Sequence, residues 1–513
     1  MDTLGSLLHG FAVALTPGNL LVVLLGTLVG TVIGVLPGLG PTASIALLLP
    51  ITIGMDMVPA LIMLAGIYYG AMYGGSTTSI LVNIPGEAAS VVTCIDGYQM
   101  ARRGRAGPAL GMSAFGSFIG GSVGVVAVML ISPILAEAAL KFGPSEMFAL
   151  LFFAFTCIGS LTGTSKGRGL LMASVGLLLG SIGTDDIHGV DRFTFGSLYL
   201  RDGVGLVPLA MGLFGLGEIL YNIERREGTG SVMETPKNLL PTLRDWKDSA
   251  GPILRGSLLG FGIGVLPGGM PAVASLLSYA VERRVATRPE EFGKGAIAGV
   301  AGPETANNAA TAGGFVPLLT LGIPTNSVLA LMLAALMLHG VTPGPLLLLK
   351  WPDVFWGVIA SMYIGNLMLL ILNLPMIGLF VQLLKVPYGI LSPLIIMFVL
   401  VGAYALNNSV ADVRMTILFG IAGYLLKRHG LEPAPLVLAF VLGPMLENNL
   451  SKALILSRTG NPLFLFSRPI SATLLTLAIL VLAYPLVRWC LTRGAGREGS
   501  SSHPLPVGPG DSP

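Results

Sequence analysis

Long apolar runs, separated by short polar or Gly/Pro-containing breaks, fill most of the chain, and this pattern predicts membrane-spanning helices. A helix needs about 20 predominantly apolar residues to cross roughly 30 Å of hydrocarbon. Runs near this length recur between residues 11 and 487. Several are too short to cross alone, so we expect half-helices or parts of re-entrant hairpins. The pattern predicts an all-α polytopic membrane protein with roughly 10–12 transmembrane segments.

The composition supports a lipid environment and excludes a soluble globular protein. Of the 513 residues, 53% are hydrophobic and only 11% are charged, whereas soluble domains carry roughly 25% charged residues. The 70 glycines and 35 prolines are typical of close helix packing and of broken helices inside a membrane. The net charge of +3 gives no basic surface of the kind that binds nucleic acid, so we expect no nucleic-acid partner.

Sequence motifs argue against several other classes of protein. The three cysteines are odd in number and far apart, which indicates neither a disulfide framework nor a thiolate metal site. No HExxH motif or P-loop occurs in the sequence, so we expect no cofactor, no enzymatic activity and an energy source other than ATP. The first 15 residues lack the basic start of a cleavable signal, so we expect the N-terminus to be retained.

A polar interval divides the chain into two hydrophobic halves. Residues 222–252 are rich in charged side chains, and we interpret them as a linker between a first transmembrane repeat, residues 1–221, and a second, residues 253–493. An ordinary loop inside a single domain is the alternative. The Gly/Ser/Pro-rich residues 494–513 predict a disordered tail.

An internal repeat supports this division. Residues 26–41 recur as residues 256–271, with ten of the sixteen positions identical at a constant offset of 230. A second match follows in each half, where a Gly-Gly pair precedes an Ile-Pro pair with eight residues between them. The Gly-Gly pairs begin at Gly74 and Gly313, and the Ile-Pro pairs begin at Ile84 and Ile323.

The basic residues of the loops indicate that the repeat is inverted. In the first half, residues 52–59 have no Lys or Arg, and residues 102–105 have three arginines. In the second half the order is reversed, since residues 283–288 have three arginines and residues 339–345 have no Lys or Arg. Basic loops stay in the cytoplasm, so corresponding loops are predicted on opposite faces. Inverted repeats with broken helices place the substrate near the midplane. A parallel duplication with chance loop charges is the alternative.

Pro-Gly segments interrupt one hydrophobic run in each half. Proline breaks the helix, and glycine lets backbone N–H groups approach a ligand. The helix that begins after each break offers free N–H groups and a partial positive charge, which suit a carboxylate. A kink needed only for packing is the alternative. The segments predict a substrate site at Gly38, Leu39, Gly40, Pro41, Gly268 and Gly269.

Polar residues at the second match extend this predicted site. Their hydroxyl and amide groups can hydrogen-bond a carboxylate, although such groups in membrane helices also bond one helix to another. The residues are Ser76, Thr77, Thr78 and Asn83 in the first half, and Thr325 and Asn326 in the second.

An ionisable residue beside a hydrophobic run is a functional candidate, because it is expensive to place in a membrane. Glu304 is such a residue, and it is predicted to lie on adjacent helical turns with three other polar residues. The alternative is that Glu304 caps a helix start at the membrane surface. Glu304 is a candidate to sense protons or a coupling cation; Na⁺ is possible, but the sequence does not define its ligands. The cation-coupling candidates are Glu304, Asn307, Asn308 and Thr311.

The chain resembles the large membrane subunit of the tripartite tricarboxylate transporters, the TctA-like family. The resemblance runs from about residue 18 to residue 488. Two segments at the predicted site depart from the family pattern, Gly269-Met270 and Thr325-Asn326, which leaves the substrate and the cation open. The resemblance is carried by residues 34–41, 73–86, 93–107, 264–271, 303–324 and 468–471.

The resemblance implies a secondary transporter driven by an ion gradient of Na⁺ or H⁺. It implies two partners, a small membrane subunit (TctB-like) and a periplasmic solute-binding protein (TctC-like). The implied substrates are small carboxylates, either di- and tricarboxylates or aromatic acids, taken up by alternating access across a bacterial inner membrane. The alternatives are a stand-alone carboxylate permease and a membrane-embedded enzyme. The enzyme would need an acid/base set or a metal, and the sequence has five histidines and no ligand cluster.

Overall fold

The computed structural model describes residues 3–36, 38–161, 166–185, 187–225, 236, 238–341, 343–384, 386–457 and 460–495. Pro37 of the first predicted break, much of the predicted linker and residues 496–513 of the predicted tail lie outside the described residues. In the described part, the strands are two short segments, Gly183–Thr184 and Asp191–Arg192, which pair antiparallel. Helices make up almost all of the remaining regular structure.

The first half contains eleven helices among the described residues. A 3-10 turn, Ala88–Ser90, precedes α5, and π-helical turns lie at Ala101–Arg105 and Met211–Leu216. The helices are α1 (Thr3–Ala14), α2 (Pro17–Val35), α3 (Pro41–Thr52), α4 (Met57–Val82), α5 (Val91–Met100), α6 (Ala106–Ala139), α7 (Pro144–Leu161), α8 (Lys166–Gly180), α9 (Leu198–Arg201), α10 (Leu206–Ala210) and α11 (Gly217–Arg225).

The second half contains twelve helices in the described part of the chain. Two 3-10 turns lie at Pro289–Glu291 and Pro462–Phe466. The helices are α12 (Leu243–Val265), α13 (Pro271–Val285), α14 (Ala298–Gly313), α15 (Phe315–Leu321), α16 (Ser327–Leu338), α17 (Leu347–Lys350), α18 (Pro352–Asn373), α19 (Ile377–Leu383), α20 (Tyr388–Asn407), α21 (Val410–Arg428), α22 (Ala434–Leu456) and α23 (Pro469–Ala495).

Helix length and composition confirm the predicted all-α polytopic membrane protein. Among the described residues, six helical segments are long and apolar enough to cross a membrane, and six shorter apolar helices have 10–17 residues. The exact number of crossings stays a prediction. The long segments are Pro17–Val35, Met57–Val82, Ala88–Ala139, Leu206–Arg225, Pro352–Asn373 and Gly389–Asn407.

Glycines bring two pairs of helices into backbone contact, one pair in each half. A Cβ added at Gly30 of α2 would lie 2.4 Å from the carbonyl oxygen of Ile67 in α4. A Cβ added at Gly260 of α12 would lie 2.1 Å from the carbonyl oxygen of Ala306 in α14. Small residues at such positions allow close packing in membranes. The same spacing recurs one turn away on either side, at Gly26, Gly34, Gly256 and Gly264.

Both predicted breaks are present. Helix α2 ends at Val35 and α3 begins at Pro41, while α12 ends at Val265 and α13 begins at Pro271. Gly38 has a φ of 83° and Gly268 a φ of 79°, in the region that favours glycine. Proline at the first helical position has its φ already set for a helix and lacks an N–H that would have no partner there.

The chain folds back after the second match in each half, forming two segments that we call tip 1 (residues 83–90) and tip 2 (residues 322–329). Helix α4 ends at Asn83 with a φ of 60°, and α15 ends at Gly322 with a φ of 69°. Both are left-handed conformations that stop a helix. Each tip then packs on the Gly-Gly pair of its own half.

Each Gly-Gly pair allows close packing on two sides, against a neighbouring helix and against a tip. A Cβ at Gly74 would lie 2.3 Å from the carbonyl oxygen of Thr31, and one at Gly313 would lie 2.7 Å from that of Phe261. The second glycine of each pair faces the tip. A Cβ at Gly75 would lie 2.8 Å from the carboxyl carbon of Glu87, and one at Gly314 would lie 2.7 Å from Thr325 Oγ1. Larger side chains would therefore push the tips away from the breaks.

Equivalent helices of the two halves cross in opposite directions. Ser76 of α4 donates a hydrogen bond to Glu304 of α14 at 2.6 Å. Seven residues earlier in α4, the ring of Tyr69 stacks on Phe315 of α15 with centroids 5.9 Å apart. Helix α4 therefore runs antiparallel to the segment formed by α14 and α15. An inverted repeat requires this antiparallel crossing, and the inversion itself stays a prediction.

The basic loops of the two halves meet at one face. The carboxylate of Asp96 in α5, just before the arginines of residues 101–105, accepts backbone N–H bonds from Gly293, Gly295 and Ala296 at 2.7–2.9 Å. Those three residues follow the arginines of residues 283–288. The contact is consistent with the predicted placement of both basic loops in one compartment.

The predicted linker is helical at its C-terminal end. Helix α12 begins at Leu243, where Thr242 and Asp245 form a capping box. Arg105 pairs with Asp245 at 2.5 Å and ties this start to the basic loop of the first half. Residues 226–235 and 237 lie outside the described residues, and the predicted domain boundaries stay predictions.

Candidate functional site

A cavity of about 390 Å³ lies where the two breaks and the two tips meet. Helices α11, α21 and α22 supply its remaining wall, which we call the far wall. The lining residues are Gly38, Gly40–Ala43, Tyr68, Met72, Ile84–Ala89, Phe214, Glu218, Tyr221, Asn222, Met270–Ala272, Asn326–Val328, Lys427 and Glu432–Ala434.

Four α-helix N-termini border the cavity. They belong to α3 at Pro41, α13 at Pro271, α16 at Ser327 and α22 at Ala434. A further start, the 3-10 turn at Ala88, leads into α5. The first N–H groups of a helix have no partner within the helix, and the helix dipole adds a partial positive charge there. The cavity is therefore bordered by groups that attract an anion.

Hydrogen bonds connect the helix starts of one half to those of the other. Thr42 at the start of α3 and Ser327 at the start of α16 share a hydrogen bond between their hydroxyl groups at 2.9 Å. Asn326 accepts from the backbone N–H of Leu329 at 3.0 Å and donates to the Tyr68 hydroxyl at 3.1 Å. These bonds hold tip 2 against the first half.

Tip 1 carries a carboxylate where tip 2 carries an amide. Glu87 and Asn326 each follow an Ile-Pro pair at the same distance, at an offset of 239. Glu87 accepts from the backbone N–H of Ser90 at 3.2 Å, just as Asn326 accepts from that of Leu329. Both side chains therefore serve as N-caps. Glu87 is 6% exposed and lines the cavity.

The far wall contributes the one basic side chain among the described residues that line the cavity. Lys427 of α21 forms an ion pair with Glu218 of α11, and its amine lies 5.6 Å from the ring centroid of Tyr221. Asn222, one turn after Glu218, donates to the carbonyl oxygen of Gly38 at 3.2 Å. The far wall therefore holds both a cation and the contact that fixes the first break.

The predicted residues at the breaks lie in different places. Gly38, Gly40 and Pro41 line the cavity. Leu39 is buried and lines a separate apolar cavity of about 190 Å³. Among the described lining residues, the second break is represented by Met270, Pro271 and Ala272 rather than by Gly268 or Gly269. Gly269 packs tightly instead, since an added Cβ would lie 1.9 Å from the carbonyl oxygen of Ile263.

The predicted residues of the second match also lie in different places, and not all of them line the cavity. Asn326 lines the cavity, while the fully buried Thr325 packs behind it. Thr78 donates to the carbonyl oxygen of Val35 at 2.7 Å and so satisfies the last turn of α2. Ser76 and Thr77 border a small void of about 10 Å³ between α4 and α6. Asn83 is the left-handed residue that ends α4.

The cation-coupling candidates form a fully buried cluster on α14, next to the cavity but not in its lining. Glu304 accepts from Ser76 at 2.6 Å, from Asn307 at 3.2 Å and from Thr93. Asn308 donates to Asn307 Oδ1 at 2.6 Å, and Thr311 donates to the Asn307 carbonyl at 2.8 Å.

Glu304 therefore joins the two halves rather than capping a helix. It is the seventh residue of α14, so the alternative of a cap at the membrane surface is wrong. No group of three or more His, Cys, Asp or Glu side chains is placed to hold a metal among the described residues. A Na⁺ site at this cluster stays a prediction.

Sequence reasoning did not single out Glu87, Glu218 or Lys427. The offset of 239 that joins the tips would have paired Glu87 with Asn326. Glu218 and Lys427 are 209 residues apart and lie outside both repeated motifs, so no sequence spacing indicated their contact.

Comparisons with known proteins add the family and two relatives. A family model described as "Tripartite tricarboxylate transporter TctA family" matches residues 20–438. The chain is 50% identical over 479 residues to an Agrobacterium vitis protein named "Uncharacterized 52.8 kDa protein in TAR-I ttuC' 3'region", covering 93% of this chain and 95% of that protein. It is 53% identical over 232 residues to another from the same organism, "Uncharacterized protein in TAR-II ttuC' 3'region", covering 45% and 94%. No solved structure gives a significant match.

Proposed function

This chain belongs to the tripartite tricarboxylate transporter TctA family, and from that premise we propose that it is the large membrane subunit of a secondary transporter for small organic carboxylates. It is a multi-pass membrane protein, and we place it in a bacterial inner membrane. The proposed substrates are di- and tricarboxylates or aromatic acids. The proposed driving force is a gradient of H⁺ or Na⁺.

The observation that carries the proposal is the meeting of four helix N-termini and Lys427 at one cavity. Free N–H groups and the positive end of a helix dipole bind anions without a fixed positive charge at each contact. Half-helix N-termini at broken helices serve this purpose for carboxylate groups in other transporters. A lysine on the far wall provides a second contact for a ligand with more than one carboxylate.

The position of the cavity supports alternating access. Its walls come from both halves, and they are bridged by side-chain hydrogen bonds, between Thr42 and Ser327 and between Asn326 and Tyr68. A movement of one half against the other would open the site to each side in turn. Moving one uncompensated charge against the membrane potential costs about 2.3 kcal/mol per 100 mV, so a carboxylate needs accompanying cations.

The proposed partners are a TctB-like small membrane subunit and a TctC-like periplasmic solute-binding protein. Dependence on a binding protein distinguishes this assembly from a stand-alone carboxylate permease. The test is reconstitution of the chain with the small subunit in proteoliposomes, with and without the binding protein. Radiolabelled citrate, succinate and benzoate serve as the probes, one for each proposed class of carboxylate.

Uptake that requires both an imposed cation gradient and the binding protein is the expected result. Equal uptake without the binding protein would favour the stand-alone permease. Uptake that follows ATP and ignores the cation gradient would contradict the secondary-transport proposal. Gly38→Val serves as the inactive control, because its side chain would fill the space taken by Asn222 Nδ2, 2.2 Å from the added Cβ.

A further inference from the structure

Glu87 lines the cavity, and its two carboxylate oxygens have different surroundings. Its Oε2 accepts from the Ser90 backbone N–H at 3.2 Å. Its Oε1 is buried and has no hydrogen-bond partner among the residues that the structure describes. A buried polar atom without a partner is costly, so such an atom in a native fold calls for an explanation. A ligand that binds Oε1 would provide one.

The other interior carboxylates differ from Glu87 in this respect. Glu304 is hydrogen-bonded by Ser76 and Asn307 and by a third donor. Glu218 is paired with Lys427. Glu432 lines the same cavity but is exposed to solvent. Among the buried carboxylates that the structure describes, Glu87 is therefore the one with an oxygen left over for a further ligand.

The surroundings of Oε1 favour a proton over Na⁺. In transporters Na⁺ is coordinated by several oxygens from unwound backbone and from helix C-termini. Glu87 instead lies at a helix start, where N–H groups face it, and its neighbours in the cavity lining include Met72, Ala88 and Ala89. A proton needs only one oxygen. Carboxylates inside membranes commonly relay protons.

The charges around Glu87 make its protonation and the binding of an anion interdependent. The titratable groups of α4, α5 and α14 that interact electrostatically with Glu87 are Tyr68, Cys94 and Glu304. Helix α13 also packs against tip 1, and its titratable residues are Tyr279, Glu282, Arg283 and Arg284. Across the cavity lie Glu218 and Tyr221 of α11, Lys427 of α21 and Glu432. Because Lys427 is already paired, no further basic side chain among the described lining residues balances an ionised Glu87.

We propose that Glu87 is the proton-coupling site of the transport cycle, where Oε1 takes up a proton before an anionic substrate occupies the cavity. The step joins one proton to one carboxylate and forms a neutral carboxyl group, while Oε2 keeps its bond from Ser90. An ionised Glu87 repels the substrate and a neutral one does not, so the two ligands favour each other's binding. After reorientation the proton and the substrate leave on the other side.

This inference rests on the proposed function, because it assigns the coupling ion of that transporter. Asn326 occupies the equivalent place in tip 2 and has no titratable group. The proposal therefore places one proton site in the first half and none at the equivalent position of the second half. Glu87→Gln tests the site with little structural risk, since the amide oxygen can still accept from Ser90, as that of Asn326 accepts from Leu329.

Infrared difference spectroscopy of the full chain in lipid nanodiscs tests the site without any substrate. Acidification of the wild type is expected to produce the C=O stretch of a buried protonated carboxyl group. The band should be absent in Glu87→Gln and unchanged in Glu432→Gln, which removes an exposed carboxylate from the same cavity. A band of full intensity in Glu87→Gln would overturn the proposal. So would a band that NaCl abolishes at constant pH, because Na⁺ would then be the ligand.

Transport in proteoliposomes tests the coupling, with citrate as the probe and the binding protein and small subunit present. Glu87→Gln should retain exchange of labelled external citrate for internal citrate. It should lose accumulation of citrate above the external concentration under a pH gradient. An equal loss of exchange and accumulation would overturn the coupling role. The infrared result needs no substrate, so failure of the site and failure of the proposed function remain distinguishable.

Discussion

Tip 1 and tip 2 have the same backbone plan but different chemistry. Each begins at a left-handed residue that ends a helix, turns at an Ile-Pro pair and starts the next helix with a side-chain cap. Tip 1 has Gly86-Glu87 at the cap and tip 2 has Thr325-Asn326. The geometry is thus repeated, while charge is confined to tip 1. Both tips can therefore contribute to the binding of an anion, whereas only tip 1 has a carboxylate that can bind a coupling cation.

The breaks that face the tips show a similar contrast. Gly38 is fixed by Asn222 of the far wall, whereas Gly269 is fixed by its own helix, at Ile263 and Leu266. Among the described contacts, the first break is therefore tied to a helix outside the repeated motifs, and Gly269 is tied to the end of α12. Perturbing the first break should disturb its contact with the far wall.

The largest expected effect comes from Gly38→Val, which should abolish carboxylate uptake and leave membrane insertion intact. The added side chain clashes with Asn222, and the φ of 83° disfavours any β-branched residue. Gly54→Ala, outside the cavity lining, is the control, since its Cβ meets nothing within 4 Å. Uptake in proteoliposomes and monodispersity after extraction are the measurements. Normal uptake by Gly38→Val would contradict the proposed pocket.

Lys427→Met should weaken uptake by raising KM more than it lowers kcat. The change removes the cation of the far wall and breaks the Lys427–Glu218 ion pair. Removing one partner of a half-buried ion pair is destabilising in itself. The double variant Lys427→Met/Glu218→Met removes that penalty, so it should regain thermal stability without regaining KM. Lys452→Met, at an exposed position, is the matched control. Recovery of KM in the double variant would show that Lys427 has a structural role only.

The repeated parts of the site were predictable from sequence because identical residues build identical local structure. The breaks follow from Pro-Gly inside apolar runs, and the tips follow from the Gly-Gly and Ile-Pro spacing. Within those segments, the choice of lining residue was not predictable. Met270 lines the cavity and Gly269 does not, a difference of one residue that depends on how α13 is rotated.

The far wall was beyond prediction for a different reason. Its residues contact the breaks over long separations, as between Gly38 and Asn222, which are 184 positions apart. No periodicity within α11 or α21 indicates which helix lies opposite. Long-range side-chain contacts of this kind depend on the packing of the complete bundle.

Gly30→Ala and Gly260→Ala compare helix packing in the two halves. Each added methyl would lie within 2.4 Å of a backbone oxygen, so the helices must separate, and overpacking of this kind costs about 1–3 kcal/mol. Both variants should lower the thermal midpoint in detergent by similar amounts. Gly262→Ala, where the Cβ meets nothing within 4 Å, should leave it unchanged. A loss of stability in only one half would show that the two interfaces are not equivalent.

The smallest expected effect on stability comes from Thr325→Val. Its comparison with Thr78→Val sets a hydroxyl without a hydrogen-bond partner against a hydroxyl that has one. Thr325 Oγ1 is buried and lacks a hydrogen-bond partner among the described residues, so replacing it with a methyl group should be neutral or stabilising by about 1 kcal/mol. Thr78→Val removes the bond to the Val35 carbonyl, so it should destabilise by about 1–3 kcal/mol because that carbonyl is left unsatisfied.

Thermal unfolding and uptake, measured on both threonine variants, separate packing from ligand contact. If Thr325→Val keeps its stability but loses uptake, the hydroxyl contacts a transported species, as the sequence predicted for this residue. If stability and uptake are both unchanged, Thr325 has a packing role only. Of the two differences at the caps, Gly86 against Thr325 and Glu87 against Asn326, only the second would then bear on transport.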